Sequence, residues 1–303
     1  METRKLGNTD LHLSRVGFGC ASAWGKTFYK EEDAINLFFD AYDAGINYYD
    51  TGHSYGHAEV RLGKCLAMLG SEKRKDLVIS TKCGTRVDDN GHYYKDWSVD
   101  WLKRSLETSL DRLNTDYIDM LNLHSPDLPE ISDEVWCLLE DFKKQKLVSA
   151  VGVSCLDDKG NELAVNNTAL DFIMVSYNLF EQHKEDVIKS LYESGKGVIA
   201  GTPLAKTLFS NDVFKVKDIK DIWYLLRALA NNRGYIKKGL KCRYINHAEN
   251  MSGNQIALKY VLDNPYITSA VFGTTSREHL LENVGALDIT IPDDILAKIK
   301  SMK

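Results

Sequence analysis

The sequence predicts a (β/α)8 barrel, the TIM-barrel architecture, built as a single domain over residues 1–303. Eight short apolar segments recur along the chain, and none shows the polar alternation of a half-solvated strand. Segments of helical period lie between them, and eight strands alternating with helices in about this length is the repeat count of a closed barrel.

The first element is a β-hairpin, with strands at 4–6 and 11–13 around the turn residues Gly7, Asn8, Thr9 and Asp10. The eight barrel strands follow at 16–20, 46–50, 77–82, 118–124, 150–155, 172–179, 197–204 and 268–274. Helices are expected at 30–44, 58–69, 99–113, 131–146, 185–194 and 277–287. In the third of these, Trp101, Leu102, Ser105, Leu106, Ser109, Leu110 and Leu113 trace one stripe at three-to-four spacing. Gly45 and Gly195 stand where a helix ends in the left-handed region. The long segment 205–250 reads as an insertion between strands seven and eight, and such excursions are usually functional. The rival architecture is an open doubly wound sheet carrying GxGxxG after its first strand. Here the first strand runs Gly17, Phe18, Gly19, Cys20, Ala21, Ser22, and the third glycine is absent.

Composition narrows the function classes. Hydrophobic residues make up 44% and charged residues 27%, the profile of an ordinary globular chain. A formal net charge of −5 argues against general binding to nucleic acid or anionic membranes. There is no apolar run of membrane-spanning length and no basic-then-apolar leader at the N-terminus. Cys20, Cys65, Cys83, Cys137, Cys155 and Cys242 are scattered without CxxC spacing, which reads as small buried hydrophobes in a reduced, cytoplasmic setting.

In a barrel, reactive groups sit at the C-terminal ends of the strands. Asp50 ends the second strand, Tyr55 follows in its loop, Lys82 ends the third and His124 the fourth. Singly, each has a structural explanation: an ion pair that neutralises itself, a satisfied core histidine, a rim aromatic. Together they suit one chemistry. A phenol is a poor acid at neutral pH, but a neighbouring ammonium stabilises its anion and a carboxylate can hold that ammonium. A tyrosine so placed can protonate a carbonyl oxygen while hydride arrives at carbon, with a neutral histidine stabilising charge on the same oxygen. The hydride must come from a cofactor.

At these residues the chain resembles the aldo-keto reductase family. The matching stretches are GINYYDTGHSYGHAEVRLGKCL, LVISTKCG, SLETSLDRLNTDYIDMLNLH, VGVS, GTPLA and FGTTSREHLLENV, which together span nearly the whole sequence. The resemblance implies a catalytic tetrad of Asp50, Tyr55, Lys82 and His124, with Tyr55 as general acid/base. It also implies an extended nicotinamide cofactor without a Rossmann motif. Ser154 would meet the nicotinamide amide. Pro203, Leu204 and Lys206 would follow the pyrophosphate, and Thr274, Ser276, Arg277, Glu282 and Asn283 the adenosine end. Trp24 and His53 are the expected substrate contacts. NADP(H) is favoured over NAD(H), because a guanidinium at Arg277 can pair with a 2′-phosphate. Five positions depart from the family pattern: Cys155 for an asparagine, Met174 for a glutamine, Gly201 for the aromatic ring that stacks on the nicotinamide, Gly273 for a lysine and His279 for an arginine.

The expected substrate is a small aldehyde, ketone or sugar. An anionic one is suggested by segment 205–250, which holds ten basic and four acidic residues, a balance of +6 against −11 elsewhere. Two rival functions fit the same residues: a regulatory barrel that binds NADPH without turnover, and a redox-neutral lyase or epimerase with tightly held cofactor. The triplet Asp50, Thr51, Gly52 resembles an aspartic-protease motif but occurs once, where that chemistry needs two carboxylates. His53 and His57 would chelate a metal only if helical, and Gly56 between them argues for a loop, so no metal is expected.

Overall fold

The computed structural model describes residues 1–88, 90–154, 157–209 and 233–302. An N-terminal antiparallel hairpin comes first, β1 (Thr3–Lys5) against β2 (His12–Ser14), with Arg4 opposite Leu13. Eight parallel strands then close on themselves: β3 (Val16–Gly19), β4 (Tyr48–Asp50), β5 (Val78–Cys83), β8 (Ile118–His124), β9 (Val148–Ser154), β10 (Phe172–Ser176), β11 (Gly197–Gly201) and β12 (Ser269–Phe272). The barrel is closed by β12 pairing with β3, Val271 opposite Gly17. Strands β6 (Thr85–Val87) and β7 (Tyr93–Lys95) form a separate hairpin just beyond β5.

Alternation along each strand divides the core in two. Tyr48, Val78, Met120, Ala150, Phe172, Met174, Ile199 and Val271 form one cluster inside the barrel, joined by Leu6 and Leu13 of the N-terminal hairpin. The intervening strand residues, such as Tyr49, Ile79, Leu121 and Val151, pack outward with the helices in a second cluster. This is the layered filling expected of a barrel whose interior is a core and not a pore.

The outer ring begins with α1 (Glu31–Asp43), α2 (Ala58–Leu69), α3 (Ser71–Arg74) and α4 (Val99–Leu113). It continues through α5 (Asp133–Lys144), α6 (Asp158–Val165) and α7 (Glu185–Glu193). Ser98 caps α4 by accepting from the Trp101 amide, and Leu102, Ser105, Leu106, Ser109 and Leu113 of its stripe are buried. Between β11 and β12 the described residues contain α8 (Arg233–Lys241) and α9 (Gly253–Leu262), the latter opened by a Ser252–Gln255 capping box. Residues 210–232, the middle of segment 205–250, lie outside the described residues. The chain ends in α10 (Arg277–Val284) and α11 (Asp293–Lys300). Among the described residues no helix is long and apolar enough to cross a membrane.

The cysteine expectation needs one correction: Cys20, Cys65, Cys83 and Cys242 are buried, but Cys137 is exposed. It lies on α5, whose buried stripe is Val135, Leu138, Leu139 and Phe142, so position 137 falls on the solvent side of the helical period.

Candidate active site

Hydrogen bonds continue past the end of β4 and draw its loop over β5. The Thr51 amide donates to the Ser80 carbonyl and the His53 amide to that of Lys82. The Tyr55 amide then turns back to Gly52, and the loop is fixed from outside by Arg112, which donates to the His53 carbonyl and pairs with buried Glu59. Position 25 must be glycine for this loop to fit, since a Cβ there would fall 1.9 Å from the Tyr55 carbonyl oxygen.

Asp50 and Lys82 are 5% and 2% exposed. Lys82 Nζ donates to Asp50 Oδ2 at 2.5 Å and to the Thr51 carbonyl at 2.6 Å. The strand register explains the meeting, because Asp50 pairs with Ser80 and its side chain lies beside that of the residue two further along β5. Lys82 Nζ also lies 5.0 Å from the centre of the Tyr55 ring. The Tyr55 and His124 rings meet edge to face with centres 5.8 Å apart. One ammonium and three further polar side chains, drawn from β4, its loop, β5 and β8, therefore share one end of the barrel.

His124 is held as a neutral ring. Burial, reinforced by the positive charges of Lys82 and Lys95, pushes its pKa down to about 3. Its Nδ1 lies 3.1 Å from Thr85 Oγ1, which accepts from Lys95 Nζ at 2.8 Å, and Lys95 also donates to the His124 carbonyl. Thr85 and Lys95 face each other across the β6–β7 hairpin. Sequence reasoning missed this hairpin although the turn-forming pair Asn90-Gly91 lies in the connection between Thr85-Arg86-Val87 and Tyr93-Tyr94-Lys95.

Two buried polar atoms lack partners among the described residues where the sequence expects a cofactor. Ser154 Oγ, 0% exposed, lies at the end of β9 in register with His124. Asn283 Oδ1 is equally unpartnered on α10, with its residue 2% exposed. Leaving such atoms unpaired costs about 1–3 kcal/mol each, so both fit a site completed by a polar ligand. Nearby, Thr274 Oγ1 accepts from the Ser276 amide and the Ser276 hydroxyl caps α10. Arg277 is exposed and its Nε donates to Asp40 at 2.9 Å, while Glu282 is half-buried. Pro203 and Leu204 follow β11. The Lys206 side chain and Cys155 lie outside the described residues. Met174 belongs to the inner cluster, and a Cβ added at Gly201 would approach its Cγ to 3.3 Å.

The two expected substrate residues, Trp24 and His53, both pack against neighbouring elements. Trp24 is 1% exposed and packs edge-on against Phe18. His53 turns its ring toward α4, with Nδ1 3.4 Å from Ser109 Oγ and the ring perpendicular to Trp101. Burial lowers its pKa. Among the described residues no group of three or more His, Cys, Asp or Glu is arranged to hold a metal ion.

A closed parallel barrel with four polar groups gathered at the C-terminal end of its strands has the layout of a barrel enzyme. The chain belongs to the aldo/keto reductase family, whose model matches residues 15–303. Oxidoreductases of this family use nicotinamide cofactors. An uncharacterized oxidoreductase of Bacillus subtilis (strain 168), YqkF, is 29% identical over 294 residues, covering 94% of this chain and 91% of its own. L-galactose dehydrogenase of Arabidopsis thaliana is 29% identical over 306 residues, covering 95% and 88%. Among solved structures, the holo form of aldo-keto reductase AKR11C1 from Bacillus halodurans superposes with a TM-score of 0.83 at 25% identity, covering 100% of this chain and 96% of its own.

Proposed function

We propose that this protein interconverts a carbonyl and an alcohol with NADP(H) or NAD(H), Tyr55 acting as general acid in reduction and general base in oxidation. The observation that carries this reading is the buried Lys82, tied to Asp50 at 2.5 Å and set 5.0 Å from the Tyr55 ring. When bound, the nicotinamide supplies hydride to the carbonyl carbon. Tyr55 gives its hydroxyl proton to the oxygen, and the Lys82 ammonium stabilises the phenolate that remains. Asp50 holds that ammonium in place, and neutral His124 donates to the same oxygen. Ser154 and Asn283 offer unspent hydrogen-bonding capacity to the two ends of the cofactor. Arg277, with Thr274, Ser276 and Glu282 around it, favours NADPH over NADH by pairing with a 2′-phosphate.

The substrate is a small aldehyde, ketone or sugar, in keeping with the sugar dehydrogenase among the relatives. Net charge of +6 over segment 205–250 favours an anionic one. Titration of the purified protein with NADPH and NADH, followed by a screen of aldehydes, ketones and aldoses, tests the proposal. Fluorescence quenching with turnover supports it. Binding without turnover indicates a regulatory barrel, and copurifying cofactor without net redox change a redox-neutral enzyme.

A further inference from the structure

The β6–β7 hairpin reaches the catalytic histidine through a pair of residues that the reaction scheme does not use. Thr85 and Lys95 are register partners, so their side chains leave the hairpin on the same face. Thr85 is 6% exposed, and its Oγ1 lies 2.8 Å from Lys95 Nζ and 3.1 Å from His124 Nδ1. Lys95 is fixed at the same time by the His124 carbonyl.

The donor inventory of these groups gives the chain a direction. An ammonium has three protons and no lone pair, so it only donates; a hydroxyl has one proton and two lone pairs. Lys95 therefore fills one lone pair of Thr85 Oγ1 and cannot take the hydroxyl proton, which leaves His124 Nδ1, at 3.1 Å, as the acceptor for it. A neutral imidazole that accepts at Nδ1 carries its own proton on Nε2. We infer that Thr85, held by Lys95, is a positioning residue that fixes the tautomer of His124 and leaves Nε2–H to face the reacting oxygen. The ammonium groups of Lys82 and Lys95 disfavour the imidazolium form, so the ring stays a neutral donor. This inference rests on the proposal that His124 meets the substrate oxygen.

Long-range proton–nitrogen spectra of the 15N-labelled full-length protein test it directly, with the His124 signals assigned from a His124→Gln variant. Wild type is expected to show Nε2–H, and Thr85→Val, nearly isosteric but without the hydroxyl, a mixture of tautomers or Nδ1–H. Its kcat/KM should fall about 10-fold, the size of one hydrogen bond, at unchanged cofactor Kd. Thr85→Ser should restore both the spectrum and the rate. Lys95→Met should give mixed tautomers, because no ammonium then polarises the Thr85 hydroxyl toward Nδ1 or repels a proton placed there. A wild-type ring protonated on Nδ1, or a Thr85→Val variant that keeps Nε2–H, overturns the inference. Full activity in His124→Gln would instead refute the role of His124 in the reaction, and the spectra would still report on Thr85.

Discussion

Replacing Lys82 with Met removes the ammonium bonded to Asp50 in a dry site, and the structure sets the size of the effect. Asp50 is 5% exposed, its Oδ2 takes the Lys82 bond at 2.5 Å, and its Oδ1 has no partner among the described residues. Breaking a buried pair by removing one member strands the other charge and costs about 3–5 kcal/mol. At about 2 °C per kcal/mol for a chain of this size, the thermal midpoint should fall by about 6–10 °C. Asp50→Asn with Lys82→Met together should recover most of that loss, giving a coupling of about 2–3 kcal/mol in a double-mutant cycle. Circular dichroism melts of the four proteins supply the cycle. Because both single variants and the double variant are expected to be inactive, the cycle reads the ion pair apart from catalysis. A Lys82→Met protein melting within about 1 °C of wild type, with no coupling, would refute the argument that this pair is sequestered from water.

Acid should destabilise the fold partly through His124. The folded ring stays neutral down to about 3 while an unfolded one binds a proton near 6.5, so stability is lost as pH falls between those values, by up to about 1.4 kcal/mol per unit. His53 acts with the same sign, and His124→Gln should make the pH dependence of urea midpoints between about 6 and 4 visibly shallower. Arg277→Ala should weaken NADPH binding about tenfold and leave NADH nearly unchanged, as read by fluorescence titration. Equal losses for both cofactors would remove Arg277 from the 2′-phosphate. A phosphorylated or carboxylated substrate should exceed a neutral one of equal size in kcat/KM, by a margin that shrinks as salt rises. Equal use of both at every salt concentration would discard the role given to segment 205–250.

The barrel was legible because its strands are buried on both faces. Continuous apolar runs located all eight within a few residues, and the hydrophobic period located α2 and α4 to the residue. Asp50, Lys82 and His124 were legible for a related reason: each ends an apolar run, where a barrel presents chemistry. Side-chain packing was not legible: Trp24 sits beside Phe18 and the His53 ring meets Trp101 of α4, contacts set by tertiary neighbours. The β6–β7 hairpin was readable from Asn90-Gly91 but fell between stronger helical signals. With it went Thr85 and Lys95, whose importance depends on a strand pairing and on a contact 39 residues away in sequence.

Proton exchange between Tyr55 and a carbonyl oxygen is tested most directly by one comparison. Wild type and Tyr55→Phe are titrated with NADPH and NADH, and oxidation of the bound cofactor is followed with a carbonyl substrate that wild type turns over. The phenol hydroxyl is removed without touching any expected cofactor contact, so dissociation constants should match while kcat/KM falls by about 10²–10⁴-fold. A Tyr55→Phe protein that binds cofactor normally and keeps half its activity would contradict the account.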